Sequence, residues 1–419
     1  MKMKNLLETT TNLIRKGLLH VFVGDLSYKV LRFLSSIAVA RLVDKDQYGV
    51  WNYAYNIYSL ILLFDGLGIA SGVIQYCAKE KDEKRSFLIL KFGKRFGGYV
   101  NLLISFITLM MALFAPLKFP SARLYLIGIS FVPPVRIFYN VTIQYIRARK
   151  RAKVYGYLTF SYAAVYLLFI LLTIPFMNVW GLVVSEYAVI LLSLLISKRL
   201  IPRISEEKVS LDNGLKKEIV KFSIVANLSN VMSQFLYLID TFLVGQILGK
   251  ADVLASYKVG TLIPYNLNFI PAALITFFYP YFATKSDDKL WVRKKAFQFL
   301  KALAVLNSLI VVLFILFGDH ITHLLFGNKY SDSAIILKIL MIGYFFAATF
   351  RIPLGNFIAS LGKVKINLIN SIVTGFSNII LDILLILNYG VIGAAFATVS
   401  VFILSSTINL YAFLRLTKK

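Results

Sequence analysis

Four cations stand where the surrounding chain is apolar. Lys29 and Arg32 lie in the stretch 18–41, Arg136 in 122–146 and Arg351 in 333–360. The planar fork of arginine binds phosphate or carboxylate oxygens in pairs. A charge at membrane depth costs at least about 2.5–3.5 kcal/mol on insertion scales, so it usually faces a cavity or a partner. These residues therefore suit a polar, cationic cavity that receives an anionic group such as phosphate. The plainer alternative is pairing with the acids found in similar stretches, Asp25, Asp65, Glu186, Asp240 and Asp382. Asp25, Lys29 and Arg32 follow one another at i, i+4 and i+7, which puts them on one helix face. On that face Asp25 and Lys29 can simply neutralise each other. Asp65 precedes Gly66 and Gly68, so capping a helix break is open to it as well.

Rows of uncharged polar groups accompany the charges. Asn227, Asn230, Gln234 and Tyr237 fall within an arc of about 80° at 100° per residue, with Asp240 to one side. Asn367, Asn370, Thr374, Asn378 and Asp382 share another face, Asn52 and Asn56 are one turn apart, and Asn140 follows Arg136 by one turn. Such amides either line a cavity or hold helices together, at about 0.6 kcal/mol per hydrogen bond. Asp25, Asp240 and Asp382 are the candidates for carrying a coupling ion.

The elements that position these groups are membrane spans. Hydrophobic residues make up 58% of the 419, and a spanning helix needs roughly 20 mainly apolar residues. Twelve stretches qualify: 18–41, 48–76, 96–117, 122–146, 154–175, 179–197, 219–248, 254–283, 296–317, 333–360, 364–388 and 391–414. Of the 46 Lys and Arg, 34 fall on one set of alternate connections and at the chain ends, eight on the other set, and four inside spans. Loops rich in Lys and Arg stay cytoplasmic. The expectation is a multi-pass protein of the cell membrane with both termini cytoplasmic. The net charge of +26 then reads as a topogenic signal helped by anionic lipid of the inner leaflet, not as a nucleic-acid footprint. The start of the chain (Leu6, Leu7, Leu13, Ile14, Leu18) reads as an amphipathic stretch on the inner surface, not a cleaved signal.

What is missing narrows the function. A single cysteine, Cys77, excludes an internal disulfide or a cysteine metal cluster. No GxxxxGK[ST] loop occurs, and no Ser-His-Asp arrangement is visible. His320 and His323 are neighbours but recruit no further ligand, so no metal and no cofactor is expected, and no enzyme. The polar stretch from Lys198 to Lys221 divides the chain into two six-span bundles, 1–205 and 206–419. A weak repeat links them: Leu26-Ser27 with Phe33 recurs as Leu228-Ser229 with Phe235. An even number of spans per half makes a parallel repeat, an arrangement that usually places the substrate between the halves.

Ala40-Arg41-Leu42-Val43 with Tyr48-Gly49 resembles the "aRlL…eyG" stretch of a known family, and Asp65-Gly66-Leu67-Gly68 resembles its "dlGl". Ile239-Asp240 with Leu243-Val244-Gly245 resembles the start of its second half. The most specific match is Leu361-Gly362-Lys363 followed by Asn388-Tyr389-Gly390-Val391-Ile392-Gly393-Ala394-Ala395-Phe396-Ala397-Thr398. The family is that of the Wzx-type oligosaccharide-lipid flippases, within the multidrug/oligosaccharidyl-lipid/polysaccharide exporter superfamily. The resemblance implies an all-α polytopic fold: two six-helix bundles, related by a pseudo-two-fold axis, around a central cavity that alternates between faces. It implies a polyprenyl-diphosphate oligosaccharide as cargo, with membrane lipids and glycan polymerase or transferase machinery as partners. Lys29, Arg32, Arg136 and Arg351 would hold diphosphate or acidic sugars. The Asn, Gln and Tyr rows would bond sugar hydroxyls, and a proton or sodium gradient would drive the cycle. The rivals are a cation-coupled drug exporter of the same superfamily and a membrane glycosyl transferase or ligase.

Overall fold

The computed structural model describes residues 18–200 and 211–418. The N-terminal amphipathic stretch and the middle of the polar connector fall outside them. Among the described residues there are no strands. The helices are α1 Leu18–Leu42, α2 Lys45–Leu62, α3 Ile69–Lys79, α4 Glu83–Phe114, α5 Ala122–Ile129, α6 Val132–Ala148, α7 Ala152–Met177, α8 Val179–Leu200, α9 Asn213–Leu248, α10 Ala251–Leu267, α11 Phe269–Thr284, α12 Lys289–Phe326, α13 Ser333–Phe346, α14 Ile352–Ser360 and α15 Val364–Leu416.

These helices make the twelve expected crossings, because several of them are halves of one broken span. Lys45–Lys79 and Ser333–Ser360 each run through a break, and α5 with α6 is a pair bent by 45°. The breaks are written in glycine and proline. Gly66, Leu67 and Gly68 all take left-handed conformations, with φ of 52°, 48° and 74°, which glycine adopts without steric cost. Pro133-Pro134 opens α6, where a missing N–H is harmless. A π turn, Ala347–Arg351, precedes Pro353. The 53 residues of α15 are two crossings that meet at Gly390, φ 61° and ψ −142°.

By packing, the chain forms two compact units. The first holds the described residues up to Val43 and Ile57–Val231; the second holds Asp44–Asn56 and the described part of Met232–Lys419. In the first unit α1 lies along α7, and α4 along α6. The α1–α7 approach depends on a glycine pair, since a side chain on Gly24 would meet the Gly156 Cα at 2.6 Å. Small residues of this kind let membrane helices pack closely when no hydrophobic force drives them together. In the second unit α13 is packed by α10, α12 and α15. Phe282, Phe357 and Phe413 build an aromatic core there, the first two with ring centroids 4.2 Å apart. The segment Asp44–Asn56 is tied into this unit by Lys45 to Asp332 at 2.9 Å and by the Tyr53 hydroxyl to Gln246 Oε1 at 2.7 Å.

The outward faces are apolar. Val305, Leu309 and Leu316 of α12 are each about two-thirds exposed, at 65%, 67% and 65%. Water would oppose such a face; hydrocarbon is its natural solvent, and helices satisfy their own backbone groups there.

Candidate functional site

In the first unit the charges gather against a tyrosine wall. Tyr155, Tyr162 and Tyr166 lie at i, i+7 and i+11 of α7, hence on one face. The Arg32 guanidinium sits over the Tyr166 ring, 4.0 Å from its centroid. Its Nη2 is 3.9 Å from Oε1 of Glu186, whose side chain is only 5% exposed against 29% for Arg32. Arg136 is half-buried and, with Arg32 and Glu186, lies within electrostatic reach of Tyr162. Tyr162 itself stacks on Tyr139 at 4.9 Å. Asp25 accepts a 2.8 Å hydrogen bond from the Tyr155 hydroxyl, and Lys29, next along that face, is exposed. Ionised, Arg32, Arg136 and Glu186 leave one positive charge in excess. Sequence reasoning named the cations and overlooked the tyrosines; their spacing on α7 was the available signal.

A second network in this unit braces the helix breaks. Asn101 Nδ2 donates to Asp65 Oδ1 at 2.6 Å and to the Pro133 carbonyl at 2.9 Å, while its Oδ1 accepts from Gly66 N–H at 2.7 Å. Asn140 Nδ2 donates to Asp65 Oδ2 at 2.9 Å, and Asn227 Nδ2 to the Leu63 carbonyl at 3.1 Å. Two amides, Asn101 and Asn227, thus take up backbone groups at the breaks, while Asp65 ties Asn101 to Asn140. Of the polar cavity candidates, Asn140 and Asn227 do this work. Asn230 and Gln234 are exposed.

The second unit holds two further polar clusters. Asp240 and Asp382 are 1% and 0% exposed, and one amide bridges them. Asn378 Nδ2 reaches both, at 2.6 Å to Asp240 and 2.5 Å to Asp382, and the Thr398 hydroxyl donates to Asp240 at 2.7 Å. The Tyr265 hydroxyl is 3.4 Å from Asp240. Burial of an unpaired carboxylate is costly, so these donors are what let the two acids sit inside the fold. The carboxylate oxygens of Asp240 and Asp382 are hard donors of the type small cations prefer. His320 and His323 are exposed, and among the described residues no group of three or more His, Cys, Asp or Glu could hold a metal ion.

Arg351 stands apart from the other three cations, at the end of the π turn in the second unit. Its Nη1 donates to the Tyr237 hydroxyl at 2.9 Å, and its guanidinium lies 5.1 Å from the Phe402 ring centroid. It borders a cavity of about 310 Å³ that Asn370 also lines. Asn52 and Asn56 line no cavity described here. They are 6% and 4% exposed, and they donate to the backbone carbonyls of Tyr48 and Leu238.

A helical membrane fold with paired polar clusters inside it, and with Gly and Pro breaks beside them, defines a transporter-type architecture. The family model described as "Polysaccharide biosynthesis protein" matches residues 38–335. The chain belongs to that family. An uncharacterized membrane protein of Methanocaldococcus jannaschii is 23% identical over 88% of this chain and 78% of its own length. A provisionally named O-antigen transporter of Shigella flexneri is 29% identical over 40% of each chain. Among solved structures, the lipid II flippase MurJ in an inward closed conformation superposes with a TM-score of 0.72 at 16% identity, covering 96% of this chain and 90% of that one. The MATE transporter VcmN of Vibrio cholerae gives 0.67 at 16% identity, covering 97% and 98%. At that identity the likeness is one of fold: the all-α, twelve-helix, two-lobe architecture.

Proposed function

We propose that this protein turns an oligosaccharide carried on polyprenyl diphosphate from the cytoplasmic to the outer leaflet of the cell membrane, by alternating access, for assembly of surface polysaccharide. The observation that carries the reading is the Arg32–Arg136 cluster of the first unit. It is cationic in excess, half-buried among apolar helices and walled by tyrosines. A cationic drug would be repelled by such a cluster, while a diphosphate or an acidic sugar would be held. The family match and the partial likeness to an O-antigen transporter support the same cargo class. The charge asymmetry of the loops supports cytoplasmic termini, and a glycan polymerase or transferase would consume the product.

Energy enters, in this reading, at Asp240 and Asp382. Exchange of a proton or sodium ion at the pair changes its charge and its bonds to Asn378 and Thr398, and so ties ion passage to helix position. Asp25 is the weaker candidate, since it is half-buried and bonds to a tyrosine hydroxyl rather than lying beside a second buried acid. The acid pair is also the one feature that favours the rival reading, a cation-coupled drug exporter.

The test is sidedness. In a deletion strain, lipid-linked oligosaccharide should accumulate protected from added glycosidase, and return of the gene should expose it. Arg136→Ala should slow exposure by at least about tenfold at unchanged membrane levels. Normal glycan display in the deletion strain, with a changed drug-resistance profile, would replace this reading with the exporter.

A further inference from the structure

In the cavity beside Arg351 the amides are turned to offer oxygen. Asn367 Nδ2 donates to the Gly355 carbonyl at 2.8 Å, and Asn409 Nδ2 to the Arg351 carbonyl at 3.0 Å. Asn370 Nδ2 donates to Asn409 Oδ1 at 2.7 Å and to Ser405 Oγ at 3.0 Å. The amide nitrogens are thus tied to protein. Asn367 Oδ1 and Asn370 Oδ1 are buried with no hydrogen-bond partner, and Asn370 is only 4% exposed. A buried acceptor left unmade is unfavourable, so a ligand that brings donors to it gains accordingly.

Next to these acceptors stands one cation. Arg351 hydrogen-bonds Tyr237 through Nη1, and among the described residues no Asp or Glu forms an ion pair with it. The guanidinium lies 5.6 Å from the Tyr237 ring centroid and 5.1 Å from that of Phe402, so aromatic rings flank it. Its carbonyl is held by Asn409 and its backbone sits in the π turn, a helix irregularity frequent at functional sites. The cation and the amide wall are therefore one assembly. The cavity, about 310 Å³, is at the low end of the roughly 300–1,000 Å³ of small-molecule sites. It has room for a sugar-sized group, not for a lipid chain.

We propose that this cavity is a subsite for a single anionic sugar. A carboxylate or phosphate group sits on the Arg351 fork, and ring hydroxyls donate to Asn367 Oδ1 and Asn370 Oδ1. The assignment rests on the glycan-cargo reading above and names the part of the cargo recognised in the second unit. Two sources share the chemistry: the carboxylate of a uronic acid within the glycan, and the phosphate on the first sugar of the carrier.

Binding to the purified full chain in detergent tests it, with glucuronate, glucose 1-phosphate and glucose as probes. One of the two anions should bind saturably, with glucose at least about tenfold weaker, because the charge-assisted contact is missing. Arg351→Lys should weaken the anion by about tenfold through loss of the fork, and Arg351→Gln by more. Lys289→Gln, exposed on α12, should change nothing. Melting temperatures in the same detergent identify any variant that misfolds, and Arg351→Lys then decides. Preference for glucuronate assigns the uronic acid; preference for glucose 1-phosphate assigns the phosphate. Equal binding of glucose and the anions, wild-type affinity in Arg351→Lys, or no saturable anion binding by the wild type overturns the proposal. Anion binding that survives alongside a negative sidedness assay would remove the flippase reading and leave the subsite standing.

Discussion

Buried asparagines do opposite jobs in the two units. In the first, Asn101 has both ends of its amide occupied, by Asp65, Gly66 and Pro133. In the second, Asn367 and Asn370 anchor their nitrogens to protein and leave their oxygens open. Residue type is the same. Only the amide whose two ends are closed is a brace, and only the one with an open end can bind something else. Charge follows the same division. The first unit interleaves Arg32, Glu186 and tyrosine rings at close range. The second strings polar groups along a helix: Asn370, Thr374, Asn378 and Asp382 rise at four-residue steps from the Arg351 cavity to the acid pair. That is about 18 Å from Asn370 to Asp382 at 1.5 Å per residue. Anion recognition and ion exchange could then communicate along one polar file of α15.

The comparison breaks first at Asn101. Asn101→Ala strands the Gly66 N–H and the Pro133 carbonyl and leaves Asp65 with Asn140 alone of its two amide donors, and each loss of a partner by a buried polar group costs about 1–3 kcal/mol. A loss of about 3 kcal/mol or more is expected, read as a large fall in melting temperature in detergent and in membrane level. A change below about 1 kcal/mol would mean that water replaces the amide at the break. Gly68→Ala comes next. Its φ of +74° is unfavourable for alanine, and the new Cβ would stand 2.5 Å from Asn227 Cβ. About 2 kcal/mol of destabilisation is expected, with Asn227 as the group displaced. An unchanged melting temperature would show that the left-handed turn is not held as described.

Asn370→Ala sharpens the other side. The residue already carries an open oxygen, so its removal frees only its nitrogen's partners, Asn409 and Ser405. About 1 kcal/mol is expected, well under the Asn101 value. If both substitutions cost the same, the distinction between brace and binding wall fails.

Much of this was legible in the sequence. Apolar length and loop charge gave all twelve crossings, and Gly66–Gly68, Pro133-Pro134 and Pro353 marked the breaks where they fall. The row Asn370, Thr374, Asn378 and Asp382 was correctly read as one face. Spacing within a helix says which residues share a face, but not which face of another helix meets it. Hence Asn101, absent from the polar rows, emerged as the hub of the first unit, and Asn140 and Asn227 joined it at the breaks. Glu186 was visible as an acid, but its approach to Arg32 depends on how α1, α7 and α8 pack. The compact units likewise take Asp44–Asn56 into the second, a matter of tertiary contact that no local composition records.

The smallest effect is expected at Tyr155. Its hydroxyl donates to Asp25 at 2.8 Å, and Asp25 is half-buried, not sealed. Tyr155→Phe keeps the ring in the α7 wall and removes only the donor. A half-exposed carboxylate recovers part of the lost bond from solvent or from Lys29 one turn away, so the cost should be about 0.5–1 kcal/mol. Transport should persist, because the excess charge around Arg32 and Arg136 is untouched. A loss of glycan export as deep as that of Arg136→Ala, at equal melting temperature, would give Asp25 the ion-exchange role assigned here to Asp240 and Asp382. The polar business of the two units would then be the reverse of the one drawn from their amides.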